Sequence, residues 1–167
     1  MTERMPRAAT VLVASTRAAA GVYEDRTGPV IADWFTERGF SVQGPLVAAD
    51  GVAFATALEA AVAAAPAVIV TTGGTGLAPG DRTPEATAVL LDRELPGFAE
   101  ELRRRGAATT PTALLTRGVA GVAGSTFVVN LPGSRGGVRD GLGLLGEVLE
   151  HVLDQLAGGD HAPTDSA

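Results

Sequence analysis

The chain has 167 residues, 46% of them hydrophobic, and a net charge of −6, with arginine supplying all 13 of its Lys and Arg side chains. Because it contains neither cysteine nor lysine, it cannot form disulfides, thiolate metal sites, Schiff bases or a Walker A loop. Its two histidines, His151 and His161, lie near the C-terminus. Carboxylates, hydroxyls, arginines and backbone amides remain, a set that suits hard cations and phosphates.

Charge and the length of the apolar runs argue against two classes of partner. A net charge of −6 disfavours binding to a nucleic-acid backbone, which depends on clustered basic side chains. The basic run Arg103 to Arg105 follows two glutamates and is typical of a solvated helix end. The longest apolar stretch, 60–70, is interrupted by Pro66 and is too short to span a bilayer. Residues 1–7 lack the apolar segment of a signal peptide. We therefore expect a cytoplasmic protein with no nucleic-acid or membrane partner.

Short apolar runs predict five strands. Ala8 to Ala14 has no polar alternation, which is typical of a strand buried on both faces of a parallel sheet. Phe40 to Val47 is a weaker candidate, and its Gly44-Pro45 interruption predicts an edge position. The glycine-rich segment 118–124 predicts a short strand or hairpin. The predicted strands cover residues 8–14, 40–47, 67–72, 118–124 and 125–131.

The segments between the predicted strands have helical periodicity or helix-start signals, and they predict five helices. Thr83 and Pro84 predict a helix start, with Thr83 as the N-cap. The predicted helices cover residues 28–39, 50–65, 83–91, 97–105 and 138–156. The last of them carries one continuous apolar stripe, formed by Val138, Leu142, Leu145, Leu149, Val152 and Leu156.

This alternation predicts the fold class. Strands that alternate with helices, and strands without polar positions, indicate an α/β domain: a three-layer αβα sandwich with a mostly parallel central sheet. We expect the domain to cover residues 8–157, with a flexible N-terminus at 1–7 and a disordered polar tail at 158–167.

Two glycine-rich turns follow predicted strands, and ligands of open α/β sheets gather at such strand ends. The first contains Thr72 to Gly76, whose uncovered backbone amides can cradle a phosphate. A tight turn that needs positive φ explains it equally well. The second precedes the last helix and contains Ser134, which is either a simple N-cap or part of an anion site at the helix N-terminus. The candidate binding residues are Thr72, Gly73, Gly74, Thr75, Gly76, Asn130, Pro132, Gly133 and Ser134.

Two carboxylates are candidates for magnesium binding and catalysis. Asp81 lies a few residues past the first turn and is not needed as a cap, so it is free to bind magnesium. Asp50 lies where a strand leads into a helix, and a plain N-cap explains it equally well. Arg17, Asp25 and Arg26 lie in or near the loop after the first strand, where they either contact phosphates or are simply solvated.

These motifs together resemble the MogA/MoaB family of molybdenum-cofactor biosynthesis proteins, including the related domains of gephyrin and plant Cnx proteins. The resemblance covers nearly the whole chain. It is carried by Thr71 to Gly76, Asp81 to Thr87, Pro96 to Phe98 and Asn130 to Ser134.

The resemblance implies a function as well as the αβα fold. Mog-type members transfer AMP from Mg-ATP to the terminal phosphate of molybdopterin and release pyrophosphate. Two aspartates that are important in those enzymes fall on Asp50 and Asp81. The resemblance also implies a homo-oligomer, most often a trimer, and the molybdate-inserting enzyme of the same pathway as a partner.

The chain departs from the family pattern at two places. It has Ser15-Thr16 where many relatives have Ser-Asp, and Ser134-Arg135-Gly136 where many relatives have a lysine at the third position. The lysine position is Gly136 in this chain, and Arg135 would supply the positive charge one position earlier. Arginine and lysine bind phosphate differently, so this departure concerns phosphate binding.

Three functions follow as hypotheses. The first is a molybdopterin adenylyltransferase that uses Mg²⁺ as its cofactor and ATP and molybdopterin as its substrates. The second is a molybdopterin-binding protein without turnover, as in MoaB-like relatives. The third is a nucleotide-binding regulatory domain, which would bind ATP and not molybdopterin.

Overall fold

The computed structural model describes residues 7–159 and contains a six-stranded sheet at its centre. The strand order is β2-β1-β3-β6-β5-β4. The first four strands in this order pair in parallel, and the last two pairs are antiparallel. The strands are β1 (Ala8–Ala14), β2 (Ser41–Ala48), β3 (Val68–Thr72), β4 (Arg93–Glu94), β5 (Ala120–Ala123) and β6 (Thr126–Leu131). The predicted mostly parallel sheet is confirmed, as is the edge position of β2.

Six α-helices and one 3₁₀ helix connect the strands. The α-helices are α1 (Thr16–Ala19), α2 (Gly28–Thr36), α3 (Val52–Ala63), α4 (Thr83–Ala88), α5 (Pro96–Ala107) and α6 (Arg135–Leu156), and the 3₁₀ helix is Pro111–Leu115. Within residues 7–159, none of these helices combines the length and the apolar character that a membrane crossing requires.

Two apolar clusters lie on opposite faces of the sheet. The larger cluster packs β1, β3 and β6 against α2, α5 and α6, and its fully buried side chains include Phe35 and Phe127. The smaller cluster packs the other face of the same strands against α3 around Phe54 and Leu58. Strand residues alternate between the two clusters, because successive side chains point to opposite faces. The three-layer αβα prediction is therefore confirmed.

Some local predictions differ from the structure. Arg82 occupies the N-cap position of α4, and Thr83 is already helical, so the predicted Thr83 cap is wrong. The Thr83 backbone N–H donates to the Gly74 carbonyl at 3.2 Å, so the first residue of α4 is bonded to the glycine turn. The sequence pattern also gave no sign of α1, β4 or the 3₁₀ helix, since these elements are too short for a periodicity to develop.

The predicted flexible ends, 1–7 and 158–167, lie outside the described residues except for Arg7, Gly158 and Gly159. The Arg7 guanidinium pairs with Glu150 at 2.7 Å and lies over the Phe40 ring at 4.9 Å from its centre. Arg7 thus joins the start of β1 to α6.

Two glycines in α6 offer a matched test of packing. Gly143 is exposed, and nothing lies within 4 Å of a methyl placed on it, so Gly143→Ala should raise the free energy of unfolding by about 1 kcal/mol through helix propensity. At buried Gly141 the same methyl would overlap the core side chain of Leu131. Gly141→Ala should therefore lower the free energy of unfolding by about 1–3 kcal/mol. Denaturant unfolding of both variants measures the difference, and equal shifts would contradict it.

Candidate active site

The parallel strands bring four segments of the chain to one edge of the sheet. Because β1, β2, β3 and β6 run in the same direction, the residues that follow them meet at their carboxyl ends. These residues include Ser15 after β1, Asp50 after β2, Gly73 after β3 and Pro132 after β6. The sites predicted from separate parts of the sequence therefore lie together.

The first glycine turn has the backbone conformation that only glycine adopts easily. Gly73 has φ +86° and Gly74 has φ +65°, values at which other residues are strained. A methyl at Gly73 would overlap the Ala14 carbonyl. A methyl at Gly133 would lie 3.2 Å from the Gly73 Cα, so the two glycine turns pack closely. The tight-turn interpretation is confirmed, and the phosphate-cradle interpretation remains a prediction.

Both candidate carboxylates contact this turn. A methyl at Gly74 would overlap the Asp50 carboxylate, and one at Gly76 would lie 2.7 Å from the Asp81 Oδ2. The Asp50 carboxylate accepts bonds from the backbone N–H groups of Gly51 at 2.8 Å and Arg82 at 3.3 Å. Gly51 occupies the N-cap position of α3, and no side chain caps that helix. The N-cap explanation of Asp50 is therefore wrong, and its carboxylate instead lies against the turn.

The environment of Asp50 disfavours its ionised form. Partial burial is the main factor that raises its pKa above the ordinary 3.8; repulsion from Asp81 and Glu85 adds to this, and the two backbone N–H groups partly oppose it. Glu85 has a lowered pKa, chiefly because the Arg117 guanidinium hydrogen-bonds to it. The turn therefore gathers negative charge that the protein itself only partly neutralises.

This raised pKa makes a prediction about stability. A carboxyl whose pKa is higher in the folded than in the unfolded state destabilises the fold once it ionises. Asp50→Asn should therefore raise the melting temperature at pH 7. The gain should shrink as the pH falls through the raised pKa and vanish below 3.8, the unfolded value. Thermal unfolding from pH 3 to 8 measures this, and a lower melting temperature at pH 7 would contradict it.

The second turn is held by a buried amide. Asn130 is 3% exposed, and its side-chain amide donates to the hydroxyls of Thr71 at 2.9 Å and Thr87 at 3.0 Å. Its side-chain oxygen accepts from the Val119 N–H at 3.1 Å. Asn130 therefore ties β3, α4 and the start of β5 together, and its predicted contact with a ligand remains a prediction.

Ser134 and Pro132 have defined structural partners. The Ser134 hydroxyl accepts from the Gly137 N–H at 3.0 Å, which confirms Ser134 as the N-cap of α6. The Thr72 hydroxyl donates to the Pro132 carbonyl at 2.8 Å and links the two glycine turns. Thr75 is buried, and its hydroxyl accepts from Thr116 at 3.1 Å. The side chains of the candidate threonines therefore make contacts within the protein that hold the two turns together.

Two cavities border the second turn. The first has a volume of about 350 Å³; it lies at the ends of β1 and β3, with Gly73, Gly133 and Arg135 in its wall. The second, of about 190 Å³, lies between α5, the 3₁₀ helix and the start of α6, with Pro132 and Ser134 in its wall. Asp50 and Asp81 line neither cavity. The consecutive residues 132–134 thus separate two neighbouring spaces.

The loop after β1 contributes to the first cavity. Asp25 and Arg26 line it, and Arg17 does not. The Asp25 carboxylate accepts from the backbone N–H groups of Thr27 at 3.0 Å and Gly28 at 3.1 Å, so it fixes the start of α2. Arg26 and Arg135 are both exposed, and both line this first cavity.

Comparison with known proteins assigns the chain to a family. A family model described as a probable molybdopterin binding domain matches residues 10–151. The chain belongs to the molybdopterin-binding domain family of molybdenum-cofactor biosynthesis proteins.

Several molybdopterin-domain relatives are close in sequence and structure. The chain is 42% identical over 154 residues to a molybdenum cofactor biosynthesis bifunctional protein of Synechococcus elongatus, covering 92% of this chain and 48% of that protein. It is 34% identical over 144 residues to the molybdopterin adenylyltransferase of Escherichia coli, covering 84% and 70% of the two chains. The Mog protein structure from Mycobacterium ulcerans superposes with a TM-score of 0.86 at 53% identity, covering 90% and 99%. The chain spans about half the length of the bifunctional proteins it matches.

The donor set of this molybdopterin-domain site fits a hard cation. Asp50 and Asp81 supply carboxylate oxygens. Burial is the main cause of the raised Asp50 pKa, and the smaller contribution from repulsion by Asp81 is one that a cation relieves. Residues 7–159 contain no group of three or more metal-binding side chains that could hold an ion alone. Magnesium is commonly held by one or two carboxylates together with substrate phosphates, so two aspartates beside a phosphate-type turn suffice.

Two contributors to the site were missed by the sequence analysis. The Arg117 guanidinium donates to the Gly76 carbonyl and to the Glu85 carboxylate, but a single arginine in a loop belongs to no recognisable sequence pattern. The Thr83 hydroxyl is fully buried beside Gly74 and has no hydrogen-bond partner. Neither feature has a sequence signal, because both depend on contacts between distant segments.

Proposed function

We propose that this chain is a molybdopterin adenylyltransferase. The observation that supports this best is the glycine turn: it contacts the Asp50 and Asp81 carboxylates, and its Gly73 lies in the wall of the first cavity. The second cavity lies on the other side of residues 132–134. A reaction between two large phosphorylated substrates needs space for both substrates and charged groups near the reacting phosphates. The similarity to the Escherichia coli molybdopterin adenylyltransferase supports the same activity.

In the proposed reaction one bond forms and one breaks. An oxygen of the molybdopterin phosphate bonds to the α-phosphorus of ATP, and the bond from that phosphorus to the pyrophosphate breaks. The chain itself needs to position the phosphates and neutralise their charge rather than supply a nucleophile. The Gly73 N–H already donates to the Leu131 carbonyl at 3.2 Å, so the amides of residues 74–76 and the N-terminus of α6 at Ser134 would hold phosphate oxygens. Arg135, exposed at the first cavity, would add a positive charge.

Asp50 and Asp81 would hold Mg²⁺ in this proposal. The ion would supply charge neutralisation at the phosphates. Within the chain, the Gly51 and Arg82 N–H groups orient the Asp50 carboxylate, and the Ala78 N–H lies 3.3 Å from the Asp81 Oδ2. A homotrimeric assembly, a cytoplasmic location and a functional link to the molybdate-inserting enzyme complete the proposal, and they rest on the family resemblance of the motifs.

A product assay tests the proposal. Purified protein is mixed with molybdopterin and Mg-ATP, and adenylylated molybdopterin and pyrophosphate are measured by mass spectrometry and a coupled assay. We expect both products in equal amounts and none when EDTA is present. Binding of molybdopterin without product would instead identify a non-catalytic binding protein. Binding of ATP without molybdopterin, seen by calorimetry, would identify a nucleotide-binding regulatory domain.

A further inference from the structure

One arginine connects the two ends of the loop that carries Asp81 with the helix that follows it. The Arg117 Nε donates to the Gly76 carbonyl at 2.8 Å, and its Nη2 donates to the Asp81 carbonyl at 2.9 Å. Its Nη1 pairs with the Glu85 carboxylate on α4. The backbone N–H of Arg117 also bonds to the Thr75 carbonyl at 2.8 Å. The planar guanidinium therefore brackets residues 76–81, which we call the Asp81 loop.

The Asp81 loop has few other anchors. Its central residues, Leu77 to Gly80, are exposed. The loop closes on itself through the Asp81 N–H, which bonds to the Ala78 carbonyl at 2.9 Å. Outside Arg117, two backbone bonds connect the far end of the loop to the site, from the Arg82 N–H to Asp50 at 3.3 Å and from the Thr83 N–H to the Gly74 carbonyl at 3.2 Å. The position of the Asp81 carboxylate thus depends strongly on the two carbonyl bonds that Arg117 makes.

Arg117 is itself held in place from α5. The Arg103 guanidinium donates to the carbonyls of Thr116 at 3.2 Å and Gly118 at 3.4 Å, on either side of Arg117. The Thr116 hydroxyl adds a bond to Thr75. The segment 116–118 is therefore fixed on both sides, which lets Arg117 act as a rigid support rather than as a mobile surface charge.

Lysine could not replace this arrangement. The guanidinium presents several N–H donors in one plane, so a single side chain reaches the Gly76 carbonyl, the Asp81 carbonyl and Glu85 together. An ammonium group keeps the charge but lacks this fork geometry. Arg117→Lys therefore separates the loss of positioning from the loss of positive charge near Glu85.

We propose that Arg117 is a positioning residue that fixes the Asp81 loop and thereby holds the Asp81 carboxylate beside the glycine turn. The kinetic consequence rests on the adenylyltransferase function proposed above, whereas the effect on the loop does not. A displacement of about 1 Å in a positioned group can reduce a rate about 100-fold, so a small movement of this loop is enough to matter.

Hydrogen exchange tests the loop directly and needs no substrate. Exchange is measured by mass spectrometry for the wild type, Arg117→Lys and the control Arg104→Lys, whose side chain is exposed and pairs with Glu101 on α5. We expect amides in the Asp81 loop to exchange about tenfold faster in Arg117→Lys, with β1, β3 and β6 unchanged, and no change in the control. Unchanged exchange in the loop, or faster exchange spread over the whole chain, would overturn the proposal.

Steady-state kinetics test the consequence for catalysis. Arg117→Lys should lower kcat about 10- to 100-fold while the KM for molybdopterin stays within twofold, since the Asp81 loop lines neither cavity. In an Asp81→Asn background, Arg117→Lys should lower kcat by less than a further twofold, because both variants act through the same carboxylate. Additive losses would overturn the proposal. If the wild type makes no product, the proposed function fails, and the exchange experiment still decides the role of Arg117.

Discussion

Asp81→Asn should reduce the rate of adenylyl transfer by about 100-fold or more while leaving molybdopterin binding intact. The change keeps the size of the side chain and the bond from the Ala78 N–H, but it removes one of the two carboxylates at the glycine turn. In the role proposed for Asp81, the carboxylate would hold magnesium and orient the reactants, and its loss would affect the chemical step far more than ground-state binding. Initial rates of product formation and calorimetric titration with molybdopterin measure the two effects separately.

Asp154→Asn is the matched control for this variant. Asp154 is exposed near the C-terminal end of α6, roughly 28 Å along the helix from the end that borders the site. We expect its rate to stay within twofold of the wild type. A molybdopterin-binding protein without turnover predicts a different result, in which Asp81→Asn changes neither molybdopterin affinity nor cofactor levels in cells. That outcome would contradict the role given to Asp81.

Gly74→Ala should disrupt the site by moving Asp50. A methyl at this position overlaps both the Asp50 carboxylate and the buried Thr83 hydroxyl, and its φ of +65° is strained for alanine. The strain costs about 1–2 kcal/mol of stability, and the overlap adds about 1–3 kcal/mol. We expect a lowered free energy of unfolding together with a loss of activity of about 100-fold. Denaturant unfolding and the rate of product formation measure these effects.

Gly21→Ala separates strain from overlap. Gly21 has a similar φ of +74°, but nothing lies within 4 Å of a methyl placed there. This variant should show the cost of about 1–2 kcal/mol from strain alone and keep its activity. If both variants lost equal stability and equal activity, the contact between Gly74 and Asp50 would have no role in the site.

The strands and the two turns could be predicted because their signals are local. Apolar runs such as Ala8 to Ala14 predict a strand that is buried on both faces, and the consecutive glycines Gly73 and Gly74 predict positive φ. Once the strands were known to be parallel, topology alone placed their following segments at one edge. Asp50 and Asp81 were chosen separately, and Asp50 depended on the family resemblance; the structure places both at the first glycine turn, although 31 positions separate them in the chain.

What the sequence could not reveal depends on geometry between distant segments. Thr83 fits the pattern of an N-cap, yet its N–H bonds to Gly74 and its hydroxyl is buried without a partner. Asp50 fits the same pattern, but its carboxylate turns toward the glycine turn and the Arg82 N–H. Arg117 follows no motif, because its role depends on three acceptors brought together by folding. For Thr83 and Asp50 the sequence predicts a local role as a helix cap, whereas in the structure contacts with distant segments determine where these residues lie.

Transfer of labelled phosphate tests the central claim most directly. The wild-type protein is incubated with molybdopterin and Mg-ATP carrying ³²P at either the α- or the γ-phosphate, and the products are separated. We predict that α-label appears in adenylylated molybdopterin and that γ-label appears only in pyrophosphate. Label from the γ-phosphate on molybdopterin, or no transfer from the α-phosphate while both substrates bind, would contradict the proposed adenylyl transfer.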